Sequence, residues 1–189
     1  MTTENLERAY AAARGVIANV KPDQLDDSTP CVSWDVRELL NHMIGGSFWA
    51  ATAVKNGNAD VIEALATDYG DRDLVATFDE GIEQSVAAFG APGAQEGSVT
   101  LPFGTLPVPM FMGIITTDAF THAWDLARAT GQPTDLDPEF AEQLLNGARG
   151  FIQPAFRGED GQLPFGAEQP APANATNADA LAAFLGRSF

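Results

Sequence analysis

Apolar residues return every third or fourth position through four long stretches of this chain, and a Gly or Pro follows each stretch. That period lines them along one side of an α-helix and conflicts with the alternation of a strand. The first stretch runs from about Thr2 to Val20, with Leu6, Tyr10, Ala13 and Ile17 in line and Lys21–Pro22 as its stop. The second follows Ser33, read as its N-cap, and runs to about Lys55, where NGNAD ends it. One line on it holds Val36, Leu40, Met43 and Ser47, and the adjacent line holds Leu39, His42, Gly46, Trp49 and Ala53. Asp71 is read as the cap of the third, which carries Leu74, Phe78, Ile82 and Phe89 inward and ends near Gly90. The fourth, Met110 to Thr130, is apolar almost all round and is therefore expected to be the most buried, with Gly131 and Pro133 closing it.

The remainder is shorter or irregular. SVTLPFGTLPVP fits either a short hairpin or an extended lid, because Pro102, Pro107 and Pro109 exclude a central strand. Asp137-Pro138-Glu139 opens a fifth helix with Phe140, Leu144, Ala148 and Phe151. A Gly-, Pro- and Ala-rich segment from Arg157 to Asn177 leads to a last helix, Ala178 to Leu185, ended by Gly186. The expected architecture is an all-α four-helix bundle with a fifth helix (1–156) and a C-terminal extension packing on it (157–189). The long 91–109 connection is the expected place for a crossover.

Charge and composition narrow the function. Twenty-six acidic against 10 basic side chains give a net charge of −16, which repels phosphate backbones and anionic lipid heads, so neither nucleic acid nor membrane is an expected partner. A single cysteine, Cys31, excludes an intrachain disulfide. MTTENLERAY lacks the basic and apolar regions of a secretory leader, and the apolar run at 106–116 is too short and broken to span a bilayer. A reducing cytoplasm is the expected compartment.

The chain has two histidines, both mid-helix. His42 lies in LLNHMIGG, and His122 lies in TTDAFTHAWDLA with Asp118 one turn earlier on the same face. A carboxylate and an imidazole facing a bundle interior are costly unless satisfied, and a divalent cation would satisfy both. Two imidazoles and one carboxylate suit zinc, with nickel, iron and manganese as alternatives, and leave coordination positions open. The same spacing also fits an Asp118–His122 hydrogen bond without any ion. Asp125, three residues after His122, suits a fourth ligand or, in preference, a partner that orients that histidine or a pair with Arg128. Cys31 fits a packed side chain or a reactive thiol near a helix start. Trp34, Trp49 and Trp124 are assigned to the core.

Three segments carry a family resemblance. TPCVSWDVRELLNHMIGG, DAFTHAWDLARATGQP and the closing ALAAFLGR resemble actinobacterial proteins of the DinB-like superfamily, in the branch named for the mycothiol-dependent maleylpyruvate isomerase metal-binding domain. The resemblance implies an up-down-down-up bundle with one long crossover. It also implies a metal triad that falls on His42, Asp118 and His122, with Asp118 standing where the isomerase uses Glu. The function this implies is a metal-dependent transferase or isomerase that uses mycothiol as co-substrate on a small electrophile. A metal- or ligand-carrying module without turnover is the competing reading. A homodimer fits such a bundle, although no exposed stripe in the sequence marks an interface.

Overall fold

The computed structural model describes residues 2–59, 63–101, 104–158 and 165–189. Among them are six α-helices: α1 (Glu4–Ile17), α2 (Val36–Asn56), α3 (Leu74–Gly90), α4 (Val108–Ala129), α5 (Pro138–Phe151) and α6 (Asn177–Phe184). A two-stranded antiparallel hairpin, β1 (Ser98–Leu101) and β2 (Gly104–Pro107), precedes α4, with Ser98 opposite Pro107 and Leu101 opposite Gly104. The segment that fitted a hairpin or a lid is thus a hairpin; Pro102 and Phe103 lie outside the described residues.

Two helix caps differ from the sequence reading, and α4 begins at Val108 in place of Met110. The cap of α2 is Asp35, not Ser33, because Asp35 and Glu38 form a reciprocal box: the Glu38 N–H donates to Asp35 at 2.8 Å and the Asp35 N–H to Glu38 at 3.0 Å. Ser33 has Val36, not an acid or amide, three residues on. The cap of α3 is Asp73, not Asp71, and its carboxylate accepts from the Ala76 N–H. Asp137 caps α5 as expected from its sequence, in a left-handed conformation that a bidentate pair with Arg8 helps hold.

Contacts along the helices fix their directions. Gln132, just beyond α4, bonds the carbonyl of Val16 near the end of α1, so these two helices run parallel. Arg14 of α1 pairs with Asp79 near the start of α3, and Tyr10 bonds Ser85 further on, so α3 runs against α1. The end of α2 meets the hairpin that feeds the start of α4: the Ala59 N–H donates to Thr100, and α2 therefore runs against α4. The order is up-down-down-up. The long crossover consequently joins the parallel pair α2 and α3 through 57–73, not through 91–109. It climbs back along α2: Gly45 lies against Ala64, so close that a Cβ on it would overlap the Ala64 carbonyl, and the Asn41 side chain accepts from the Tyr69 N–H.

The core forms where the four apolar stripes meet. Phe111 of α4 packs against Phe89 of α3 and edge-on against Trp49 of α2, while Phe120 packs edge-on against Phe140 of α5. Most of α4 is buried, as its uniform apolarity requires.

The C-terminal extension is sewn onto this body. The Trp124 indole N–H donates to Asp179 in the first turn of α6, and Arg157 donates to the carbonyls of Gly166 and Phe184. Past α6 the chain turns back at Gly186, whose φ of +100° is open to glycine and whose missing Cβ lets the Gly166 backbone pass. Gly186→Ala is expected to cost about 1–3 kcal/mol through that collision and the positive φ, read as a fall of several degrees in the thermal midpoint.

Candidate metal centre

The antiparallel crossing of α2 and α4 brings His42, Asp118 and His122 together. His42 Nε2 lies 3.4 Å from Asp118 Oδ2, and His122 Nε2 lies 3.4 Å from Asp118 Oδ1. The two imidazoles pack edge to face with centroids 4.8 Å apart. One donor atom from each of the three residues falls within 4.8 Å of the others. The reading of a triad in the bundle interior needs correction, because only His122 is buried. The Asp118 side chain is 42 % exposed and the His42 side chain 25 % exposed, and all three line a cavity of about 1060 Å³. The cavity lies between α4, α5, the 30–34 turn and the returning C-terminus.

Behind His122 lies a second layer of polar groups. His122 Nδ1 is 3.0 Å from Asp125 Oδ2, and Asp125 is fully buried. An ionised carboxylate only accepts, so His122 carries its hydrogen on Nδ1 and donates it to Asp125. Arg187 donates to both Asp125 oxygens, at 3.2 Å and 2.9 Å, and the Cys31 thiol donates to Oδ2 at 3.2 Å. Asp125 therefore orients His122 and does not pair with Arg128, whose guanidinium lies over the Phe189 ring. Cys31, His122 and Asp125 also bring three donor atoms together. That cluster does not suit a cation, since the Arg187 guanidinium already occupies Asp125 and approaches Cys31 Sγ at 3.8 Å. Cys31 is a partly buried member of this hydrogen-bond network.

Charge in the cluster is strongly coupled. Desolvation disfavours the Asp125 anion, but the Arg187 charge and hydrogen bonds from His122 and Arg187 outweigh it and lower the pKa to about 2. At Asp118 desolvation again opposes ionisation, yet the charges of His122 and His42 hold the carboxyl well below the usual carboxylate range. Burial would lower the His122 pKa, but Asp118, with help from Asp125 and Cys31, raises it well above the ordinary imidazole value. With Nδ1–H committed to Asp125, a neutral His122 would aim its Nε2 lone pair at an Asp118 oxygen. Something positive belongs between them, either a proton or a cation.

The donor set fits a divalent cation. Ligand atoms 2.0–2.1 Å from a tetrahedral zinc stand about 3.3–3.4 Å apart, and each imidazole Nε2 lies 3.4 Å from a carboxylate oxygen, His42 from Oδ2 and His122 from Oδ1. A carboxylate behind a ligating histidine is the usual means of fixing its tautomer and ring plane.

Two contributors escaped the sequence reading. Trp34 sits in the turn before α2, partly buried against the edge of the core, and its ring also lies on His42 with centroids 4.5 Å apart. Arg187 carried no local signal beyond its place after Gly186. None of the described hairpin residues lines the cavity.

Comparison with known proteins agrees with this architecture. Residues 6–127 match the family described as the mycothiol maleylpyruvate isomerase N-terminal domain. Two proteins of Mycobacterium tuberculosis, from strains CDC 1551 and H37Rv and both described only as uncharacterized, are each 43 % identical over 182 residues. The alignments cover 96 % of this chain and 95 % of theirs. No solved structure gives a significant match. The chain belongs to the mycothiol maleylpyruvate isomerase N-terminal domain family, a branch of the DinB-like superfamily.

Proposed function

We propose that this family member binds a divalent metal ion, zinc ahead of nickel, iron or manganese, through His42, Asp118 and His122, and joins a low-molecular-weight thiol such as mycothiol to an electrophilic small molecule. The observation that carries the reading is the convergence of two Nε2 atoms on one carboxylate at the wall of a large cavity, with Asp125 fixing the nearer ring. Family membership supports the thiol.

A bound divalent cation lowers the pKa of a coordinated thiol, as it does that of water. The protein's own residues then orient and enclose the reactants. Asp125 holds the His122 ring, Trp34 covers one face of His42, and the cavity holds the electrophile beside the triad. In a conjugate addition the thiol sulfur bonds the electrophilic carbon. The displaced π pair moves to the adjacent carbon, which takes up the proton the thiol gave. Atoms and charge balance without an oxidant. Isomerisation of a cis alkene would follow by rotation in the adduct and loss of the same thiol.

Metal analysis of the untagged protein tests the centre. About one ion per chain is expected, with loss of most of it in His42→Ala and in His122→Ala; content unchanged in both variants would sink the triad. Calorimetric titration with mycothiol, with and without metal, tests the chemistry. Metal-loaded protein that neither binds the thiol nor conjugates a generic electrophile would favour a carrier module without turnover.

A further inference from the structure

We propose that the cavity selects an uncharged, largely apolar co-substrate of drug-like size and rejects dicarboxylates. This rests on the thiol-transfer reading and names the class of molecule the thiol would meet.

Three observations carry it. The first is charge. Among the described residues that line the cavity, Arg187 is the only guanidinium or ammonium, and both of its donating nitrogens that reach the polar cluster are engaged by Asp125 and Cys31. The cation at the triad would meet one carboxylate of a dianion, but the second would find Glu4 at the exposed mouth and no further guanidinium or ammonium among the described lining residues. The second is hydrogen bonding. The Thr116, Thr117 and Thr121 hydroxyls, all on the cavity wall, donate into the carbonyls of Met112, Gly113 and Thr117 of their own helix. The wall that α4 turns to the cavity is therefore nearly devoid of donors for a polar guest.

The third is shape and surface. Met110, Ile114, Leu144, Phe151, Ile152 and Phe165 supply the apolar lining away from the triad, with Asn5 and Gln143 as polar side chains among them. Its rim leaves Val32, Met110 and Phe151 exposed at 89 %, 42 % and 44 %, apolar area that a guest would cover. Gly113 and Gly147 also line the cavity, and a Cβ on either would meet nothing within 4 Å, so open space extends to the helix backbones. At about 1060 Å³ the cavity matches the upper end of small-molecule sites.

The test uses the full chain loaded with zinc, with the neutral fluorophore N-phenyl-1-naphthylamine as apolar probe and maleate as the dicarboxylate. Gly147→Leu and Gly113→Leu fill the cavity without touching the triad, and replacing a mid-helix glycine favours the helix. The fluorophore is expected to bind at micromolar concentration and maleate not at millimolar. Each substitution is expected to weaken the fluorophore by about tenfold or more with metal content and thermal midpoint retained. Maleate binding as well as the fluorophore would overturn the inference, and so would fluorophore affinity unchanged in both variants. So would a dimer in sedimentation that either substitution dissociates, since a second copy would then be the occupant. Fluorophore binding that tracks the glycines while metal content ignores His42 and His122 would leave the apolar selectivity standing and remove the metal-centred reading. Metal retention without fluorophore binding would do the reverse.

Discussion

Asp125→Ala is expected to destabilise the protein by about 3–5 kcal/mol, a fall in the thermal midpoint on the order of 10 °C. Asp125 is fully buried, and Arg187, only 16 % exposed, points its Nε and Nη2 at it. Truncating the acid leaves a guanidinium desolvated with no counter-charge. It also removes the acceptor of the His122 ring hydrogen and of the Cys31 thiol. Arg187→Met alone should cost a similar amount by stranding the carboxylate. The double variant separates two roles of this pair. With both charges gone, most of the lost stability should return, because a buried ion pair contributes little beyond what an apolar replacement supplies. Metal affinity should not return with it: the His122 ring has lost its orienting carboxylate, and a drop of about 10–100-fold is expected. Denaturant unfolding and metal titration on the three variants read the two effects separately. A double variant that binds metal like the parent would show that Asp125 serves the fold alone.

That pair also marks the limit of what the sequence reveals. Helix positions were legible because each helix buries one stripe, and burial imposes its period directly on residue order: Leu6, Tyr10, Ala13 and Ile17 are all buried. Helix starts were less so, since Ser33 and Asp35 both satisfy a cap preference and only the reciprocal bond to Glu38 decides between them. The crossover was misplaced because loop length does not say which way a helix runs; direction depends on contacts such as Arg14 with Asp79. In the site, residues on one helix were readable: Asp118, His122 and Asp125 share a face by spacing alone. His42 could be joined to them by facing helices. Arg187 lies 62 residues from Asp125, beyond any periodic signal. One cue existed: an acid beside His122 within a helix apolar almost all round needs a counter-charge, and the chain holds only 10 Lys and Arg to supply it.

Removing the proposed metal should lower stability without unfolding the chain. An ion bound only by the folded state adds RT ln(1 + [L]/Kd), about 3–4 kcal/mol when its free concentration is 100 to 1,000 times Kd. Chelation is therefore expected to lower the thermal midpoint by on the order of 10 °C. The fold should survive for two physical reasons. The core around Phe111, Phe120, Trp124 and Phe140 is buried independently of the triad, unlike a zinc finger in which the ion replaces a core. The triad also has an internal substitute for the cation: without it, His122 takes a proton toward Asp118, and the carboxylate keeps a positive neighbour at 3.4 Å. In His42→Ala and His122→Ala the chelator should have almost no effect on the midpoint, because no bound ion is left to remove. A chelator shift of parental size in both variants would place the stabilising ion elsewhere on this acidic surface. Complete unfolding on chelation would mean that the cation builds the bundle, and that the packing of α4 against α1 and α2 does not hold without it.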